Sequence, residues 1–180
     1  MRIIGIDPGS VFCGYGVIDV QGNTLKVIEY GTIEVRKKAE DITLRMKEIY
    51  ERISSVIHRT NPDSAAVEAA FYAKNAQSLI KLTMARSAAI LAIVNSGIFI
   101  NEYSARQVKR SVTGKGAASK EQVRFMIKAL LNISENPEYF DTTDALAIAI
   151  CHSNHCKSFD NKAISWQQFF KNNPDRIVKL

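Results

Sequence analysis

Four carboxylates, Asp7, Glu68, Asp141 and Asp144, are the residues of this chain best suited to chemistry. Each has an ordinary explanation. Asp7 precedes Pro8-Gly9, where an aspartate favours a tight turn. Glu68 closes a short apolar run and could point into solvent. Asp141 and Asp144, three residues apart, could be an N-cap and a favourable first-turn charge, worth ~1 kcal/mol together. What sets them apart is their placement: two end apolar strands and two open an apolar helix, so one sheet edge could collect all four. Like charges brought together in a cleft repel by kilocalories, so convergence calls for bound cations. A donor set made only of oxygen selects Mg2+ or Mn2+ over Zn2+. Two such ions, about 3.5–4 Å apart, would clamp the attacking water and the leaving oxygen of an in-line phosphoryl displacement. The chemistry expected of the set is phosphodiester hydrolysis.

The elements that must position these groups follow in chain order. Arg2 to Ile6 is a strand rich in β-branched residues, and Cys13 to Asp19 returns beside it as a hairpin with Asp7 at the bend. Leu25 to Val35 follows the turn Gly22-Asn23 as a third antiparallel strand. Asp41 caps a helix whose apolar positions Ile42, Met46, Ile49, Ile53, Val56 and Ile57 keep the 3.6 period. After Asn61-Pro62-Asp63, the run Ser64 to Glu68 is reached by a crossover and so lies parallel to the first strand. Asn75 to Asn95 is a helix with two apolar stripes, Leu79, Leu82, Ala89, Ile93 and Ile80, Met84, Leu91. One stripe covers its own sheet, and the other calls for a second copy of the chain. Gly97 to Glu102 is a fifth strand, Ser104 caps a helix over Ala105 to Val112, and Ser119 with Gln122 forms a capping box for Lys120 to Leu131. Asp141 to Ile150 is the final helix. The order βββαβαβααα gives an α/β fold, a five-stranded mixed sheet of three antiparallel strands then two parallel ones, with helices on both faces.

The 180 residues suit one domain, which would bury roughly two-thirds of its surface. Lys+Arg outnumber Asp+Glu by 24 to 18, a net charge of +6 that suits a polyanionic partner. The domain is expected over 1–156, and 157–180 reads as a basic appendage carrying Trp166, Phe169 and Phe170. No apolar stretch is read as approaching the roughly 18 residues of a membrane span. The first residues enter a strand with no signal peptide, so a cytoplasmic protein without a membrane partner is expected. An odd count of three cysteines agrees with a reducing compartment. Cys151, His152, His155 and Cys156 pair on a helix as Cys151 with His155 and His152 with Cys156. The two pairs point about 100° apart and do not close one zinc tetrahedron.

An ordered set of motifs resembles the RuvC family of Holliday-junction resolvases, within the RNase H-like superfamily. The set runs Gly5-Ile-Asp-Pro-Gly-Ser10, Gly14-Tyr-Gly-Val17, Glu68 with Phe71 and Lys74-Asn75, Ala85-Arg86, Glu102-Tyr-Ser-Ala-Arg-Gln-Val-Lys109, Gly114-Lys-Gly116, Lys120 with Gln122-Val123, and Asp141 with Asp144-Ala-Leu-Ala-Ile-Ala149. The resemblance implies a homodimer that cuts opposed strands of a four-way DNA junction, working with the RuvA and RuvB branch-migration proteins. Asp7, Glu68, Asp141 and Asp144 match the family's metal-binding catalytic carboxylates, with two Mg2+ per site and Mn2+ able to substitute. Phe71 matches an aromatic used at the crossover, where stacking on a base is worth ~1–3 kcal/mol. Lys109 and Lys120 match lysines near the cleaved strand, and Arg110, Lys115 and Arg124 lie close in sequence and would add phosphate contacts. Lys120 occupies a first helical turn, where a cation is unfavourable unless an anion is near; a DNA phosphate would be that anion.

Three other readings share parts of this pattern. A non-cleaving junction-binding module would keep the basic surface without the full acidic set. An actin-like phosphotransferase would share Asp7-Pro-Gly-Ser with Gly14 and Gly16 but needs a second lobe, and Gly114-Lys-Gly116 lacks the spacing of a phosphate-binding P-loop. A nuclease of RNA:DNA hybrids on the same fold would not need the second apolar stripe of the helix 75–95.

Overall fold

The computed structural model describes residues 1–35, 41–69, 75–134 and 140–162. β1 (Arg2–Asp7), β2 (Phe12–Gln21) and β3 (Thr24–Glu34) form the antiparallel meander, α1 (Ile42–Thr60) crosses over, and β4 (Ser64–Glu68) returns parallel to β1. α2 (Ala76–Asn95) leads to β5 (Ile100–Tyr103), followed by α3 (Ala105–Thr113), α4 (Lys120–Leu131) and α5 (Phe140–Lys162). The sheet order is β3-β2-β1-β4-β5, which puts β1 at its centre. The element order is the one expected from periodicity.

Strand alternation divides the sheet into two faces. Ile4 and Ile6 of β1 and Val17 of β2 pack with Ile49, Ile53, Ala89 and Ile93, beneath α1 and α2. Ile3 and Ile18 pack with Val123, Ile127, Leu146 and Ile150, beneath α4 and α5. By the same period of two, Gly5 and Asp7 share the face of Ile3, and Glu68 shares the face of Ala66, which lies in that second cluster. Both strand-end carboxylates therefore stand on the α5 side.

From Ala145 to Cys151 α5 is apolar on every side, and every residue from Ala145 to Ser153 is buried. It approaches so closely because the strand positions beneath it are glycines. A Cβ on Gly5 would lie 2.2 Å from the Ala145 carbonyl oxygen, and one on Gly14 would lie 2.1 Å from that of Asp141.

Three sequence expectations shift. The last helix runs to Lys162 and not to Ile150. Its continuation is polar in composition, but His152 is held by Tyr103 Oη at 2.8 Å and Ser64 Oγ at 3.2 Å, which replaces apolar packing by hydrogen bonds. Position 156 thus lies within the helix, and 163–180 lies outside the described residues. β5 starts at Ile100, since Gly97 has φ +73° and its amide closes the turn after α2 on Val94 O at 2.9 Å. The expectation that no stretch approaches membrane length also needs correction: α2 has 20 residues with a mean hydropathy of 1.3, long and apolar enough by composition to cross a membrane. Its hydropathy comes from being apolar on two sides. Ala85, Ala88, Ala89, Ala92 and Ile93 are buried against the sheet layer, while Ile80, Leu91 and Val94 are 59%, 52% and 53% exposed. The inward stripe is the one with Ala89 and Ile93, and the outward one carries Ile80 and Leu91.

Candidate active site

Asp7 and Glu68 end neighbouring parallel strands whose last registered pair is Ile6 with Val67, so the two carboxylates are adjacent across the sheet edge. Asp144 comes from the first turns of α5, pressed on the sheet over Gly14 and Gly5. Three further contacts hold that helix end. Thr142 Oγ1 meets Thr32 Oγ1 of β3 at 2.7 Å, Thr143 Oγ1 donates to the Phe140 carbonyl at 2.8 Å, and the Arg124 guanidinium stacks 4.4 Å from the Phe140 ring centroid. α3 and α4 close the other side, each started by a reciprocal capping box, Ser104 with Gln107 and Ser119 with Gln122.

The result is a cavity of about 270 Å3 lined by Asp7, Glu68, Asp144, Lys109, Lys120 and the apolar side chains of Ala105, Val108 and Val123. Asp141 stands beside it, one helical turn before Asp144 and within electrostatic reach of Asp7. Of the basic residues expected at the site, Lys109 and Lys120 line this cavity. Arg110 is exposed outside it, and Lys115 lines a separate hollow with Phe125 and Met126. Phe71 lies outside the described residues.

Electrostatics single out Asp7. Desolvation of its half-buried side chain, then the fields of Asp144, Glu68 and Asp141, hold its pKa well above the ordinary carboxylate value against the opposing pull of Lys120. Glu68 is raised by burial and by Asp144, with Lys120 and Lys109 acting in the opposite direction. Asp141 is raised chiefly by burial. Lys120 Nζ meets Asp144 Oδ2 at 2.9 Å. Burial opposes the charged lysine, but that hydrogen bond and the fields of Asp144, Asp7 and Asp141 outweigh it and raise the pKa of Lys120. This first-turn cation thus already has an anion beside it within the protein, Asp144.

This arrangement is short of positive charge. One lysine bonds one of four carboxylates, and burial with three acidic neighbours raises the pKa of Asp7 well above the ordinary carboxylate value. The donors are carboxylate oxygens, so the group that fits is a hard divalent cation such as Mg2+ or Mn2+. Among the described residues, no three acidic, His or Cys side chains stand in a ready-made ligating group. The Cys151–Cys156 segment forms its two separate pairs, Cys151 Sγ with His155 Nδ1 at 3.7 Å and Cys156 Sγ with His152 Nε2 at 3.6 Å, and His152 is already committed to Tyr103 and Ser64.

Two contributors stand in the quoted motifs but had no role assigned from sequence. Gly5 and Gly14 set the depth of α5, and their signal was present as glycines at strand positions facing an apolar helix. Arg86 reaches the end of β4 from behind the sheet; it stands in the Ala85-Arg86 motif, which gives no sign of the carbonyl it bonds.

A mixed five-stranded sheet in this order, with acidic residues ending its central parallel strands, defines an RNase H-like protein. Comparison with known proteins narrows the class. The family model described as crossover junction endodeoxyribonuclease RuvC matches residues 3–152. Relatives of that description include those of Cytophaga hutchinsonii, 40% identical over 97% of this chain and 87% of its own, and Geobacter sulfurreducens, 49% identical over 86% and 93%. The structure of Thermus thermophilus RuvC in complex with Holliday junction substrate superposes with a TM-score of 0.82 at 30% identity, covering 88% of this chain and 96% of that one. The chain belongs to the RuvC family.

Proposed function

We propose that this chain resolves four-way DNA junctions by metal-dependent phosphodiester hydrolysis at the cleft of Asp7, Glu68, Asp141 and Asp144. The observation that carries this reading is the half-buried, cation-poor state of Asp7 beside three further carboxylates. Two Mg2+ ions held by these four side chains, with Mn2+ able to substitute, would activate the attacking water and neutralise charge on the phosphate in the way two-metal nucleases do. Lys109 and Lys120 bind phosphate oxygens on the approaching strand from the α3 and α4 side. Lys120 can do so by exchanging its bond to Asp144 for one to DNA, which also frees Asp144 as a ligand. Val108, Val123 and Ala105 line the cavity with apolar surface, and exclusion of water there strengthens each charge interaction. Phe71 would stack on a base at the crossover, and Arg110 and Lys115 would touch phosphates farther out.

Paired cuts in opposed strands need two sites, and the outward stripe of α2 supports a homodimer. The RuvA and RuvB proteins are the partners proposed for supplying a migrating junction, and the cytoplasm, where bacterial DNA lies, is the proposed compartment. The nuclease domain is proposed to end near 156.

The test is cleavage of a synthetic mobile four-way junction with Mg2+, beside linear duplex and RNA:DNA hybrid, for wild type and Asp7→Asn. Paired symmetric nicks in junctions alone, absent from a variant that still binds the junction, are expected. Cutting of the hybrid, or continued junction cutting by Asp7→Asn, would overturn the assignment.

A further inference from the structure

Arg86 stands on α2, on the side of the sheet opposite the cleft. Its Nε donates to the backbone carbonyl of Glu68 at 3.2 Å, and its Nη2 lies 2.7 Å from Glu102 Oε1. The guanidinium is only 14% exposed, and the buried Nη2 has no aligned hydrogen bond, so the Glu102 contact is an ion pair. The same peptide group is held at its other end, where the Ala69 amide donates to the Tyr103 carbonyl at 2.9 Å. One peptide plane is thus gripped through its N–H by β5 and through its C=O by α2.

That plane is the one whose rotation is ψ of Glu68. Glu68 is the last residue of β4, and its pair with Tyr103 is the last of the β4–β5 register, so no further ladder bonds restrain it. The peptide before Glu68 is held in the β4 ladder and the peptide after it by Arg86 and Tyr103, so the Cα of Glu68 is clamped from both sides; loss of the second clamp lets the strand end fray and the Glu68 carboxylate shift in the cavity it lines. A planar guanidinium can hold the carbonyl and the carboxylate at once; a lysine ammonium at this site could serve one well but not both.

We propose that Arg86 is a positioning residue: by fixing the peptide after Glu68 from behind the sheet, it sets where the Glu68 carboxylate stands in the cleft. The inference rests on the reading of Glu68 as a metal ligand. Partners that orient a ligand typically change metal affinity by about 10–100-fold when removed. A tie between α2 and the sheet with no such role would change stability alone.

The experiment is Mn2+ binding to the full chain without DNA, followed by calorimetry, for wild type, Arg86→Met, Arg86→Lys, Glu102→Gln and Glu68→Gln, each with its melting temperature. Arg86→Met is expected to weaken Mn2+ binding by ~10-fold or more while the protein remains folded. Should Arg86→Met fail to fold, Arg86→Lys is read in its place and is expected to show a weakened Mn2+ affinity with a melting temperature near wild type. Glu102→Gln keeps the bond to the Glu68 carbonyl and is expected to bind Mn2+ as wild type does. Folded Arg86 variants that bind Mn2+ like wild type overturn the proposal, as does a Glu102→Gln loss equal to that of Arg86→Met. Unchanged binding by Glu68→Gln would instead remove Glu68 as a ligand, whereas a defective Glu68→Gln beside normal Arg86 variants removes the role of Arg86 alone.

Discussion

Gly14→Ala tests how the sheet sets the position of the α5 carboxylates. A Cβ at this position would stand 2.1 Å from the Asp141 carbonyl oxygen and 2.4 Å from its carbonyl carbon. Both are backbone atoms, so no rotamer change relieves the clash. Ordinary contact begins at 3.4 Å, and moving from 2.1 to 3.4 Å requires a retreat of 1.3 Å. β2 is paired at this residue with Asp7 on one side and Thr32 on the other, so the first turn of α5 is what moves. Overpacking of this kind costs about 1–3 kcal/mol, and each kcal/mol lowers the melting temperature of a chain this size by roughly 2–4 °C. The effect on catalysis is larger, because a misplacement of about 1 Å in reacting geometry can lower a rate on the order of 100-fold. Single-turnover cleavage of a junction at saturating Mg2+ reads that loss, with junction binding in Ca2+ as the companion measurement. Gly97→Ala is the control: with φ +73° and nothing within 4 Å, it loses stability through its backbone but leaves the cleft alone. If Gly14→Ala cuts within threefold of wild type, close approach of α5 is not what positions Asp141 and Asp144.

Two more outcomes are expected. Because the native pKa of Asp7 lies above its ordinary 3.8, folded protein binds this proton more tightly than unfolded protein, so the contribution of Asp7 to stability is present below about pH 4 and is lost as pH rises through the raised value. Urea unfolding of metal-free protein should therefore show Asp7→Asn gaining on wild type as pH rises from 4 toward neutrality, and Mg2+ should shrink that gain by binding folded wild type; a difference that stays flat with pH refutes the burial argument. Ile80→Glu with Leu91→Glu replaces two outward side chains, each worth about 1.5–3 kcal/mol when fully buried, and sedimentation velocity should show monomers of unchanged fold. A persistent dimer would place the interface elsewhere.

Most of the scaffold was legible because it depends on local chemistry. Ser104 and Ser119 announce the starts of α3 and α4, each with a glutamine three residues on, and both capping boxes form. The strand-end placement of Asp7 and Glu68 follows from where apolar runs stop, and period-2 alternation then puts both on the face of Ile3 and Ala66. What could not be read locally depends on partners far apart in the chain. Polar His152 looks like a helix terminator until Tyr103 and Ser64 are beside it. Arg86 is separated from Glu68 by 18 positions and bonds a carbonyl, a group every residue possesses. The partner of Lys120 could be anticipated only as an anion; that it is Asp144 required the depth at which α5 sits.

That depth links the architecture to the charge imbalance. A sheet carrying larger residues at 5 and 14 would hold α5 farther out, and Asp144 would stand nearer solvent, where water screens repulsion. The glycines instead bring an acidic helix end onto an acidic strand end, among the apolar side chains of Val108 and Val123. Lys120 is bonded to Asp144, and the pKa of Asp7 stands well above its ordinary value. Both arrangements are reversible and answer the same deficit of positive charge. A divalent cation would meet it more completely than one lysine, and displacement of Lys120 from Asp144 would then release a cation beside the place where a phosphate must sit.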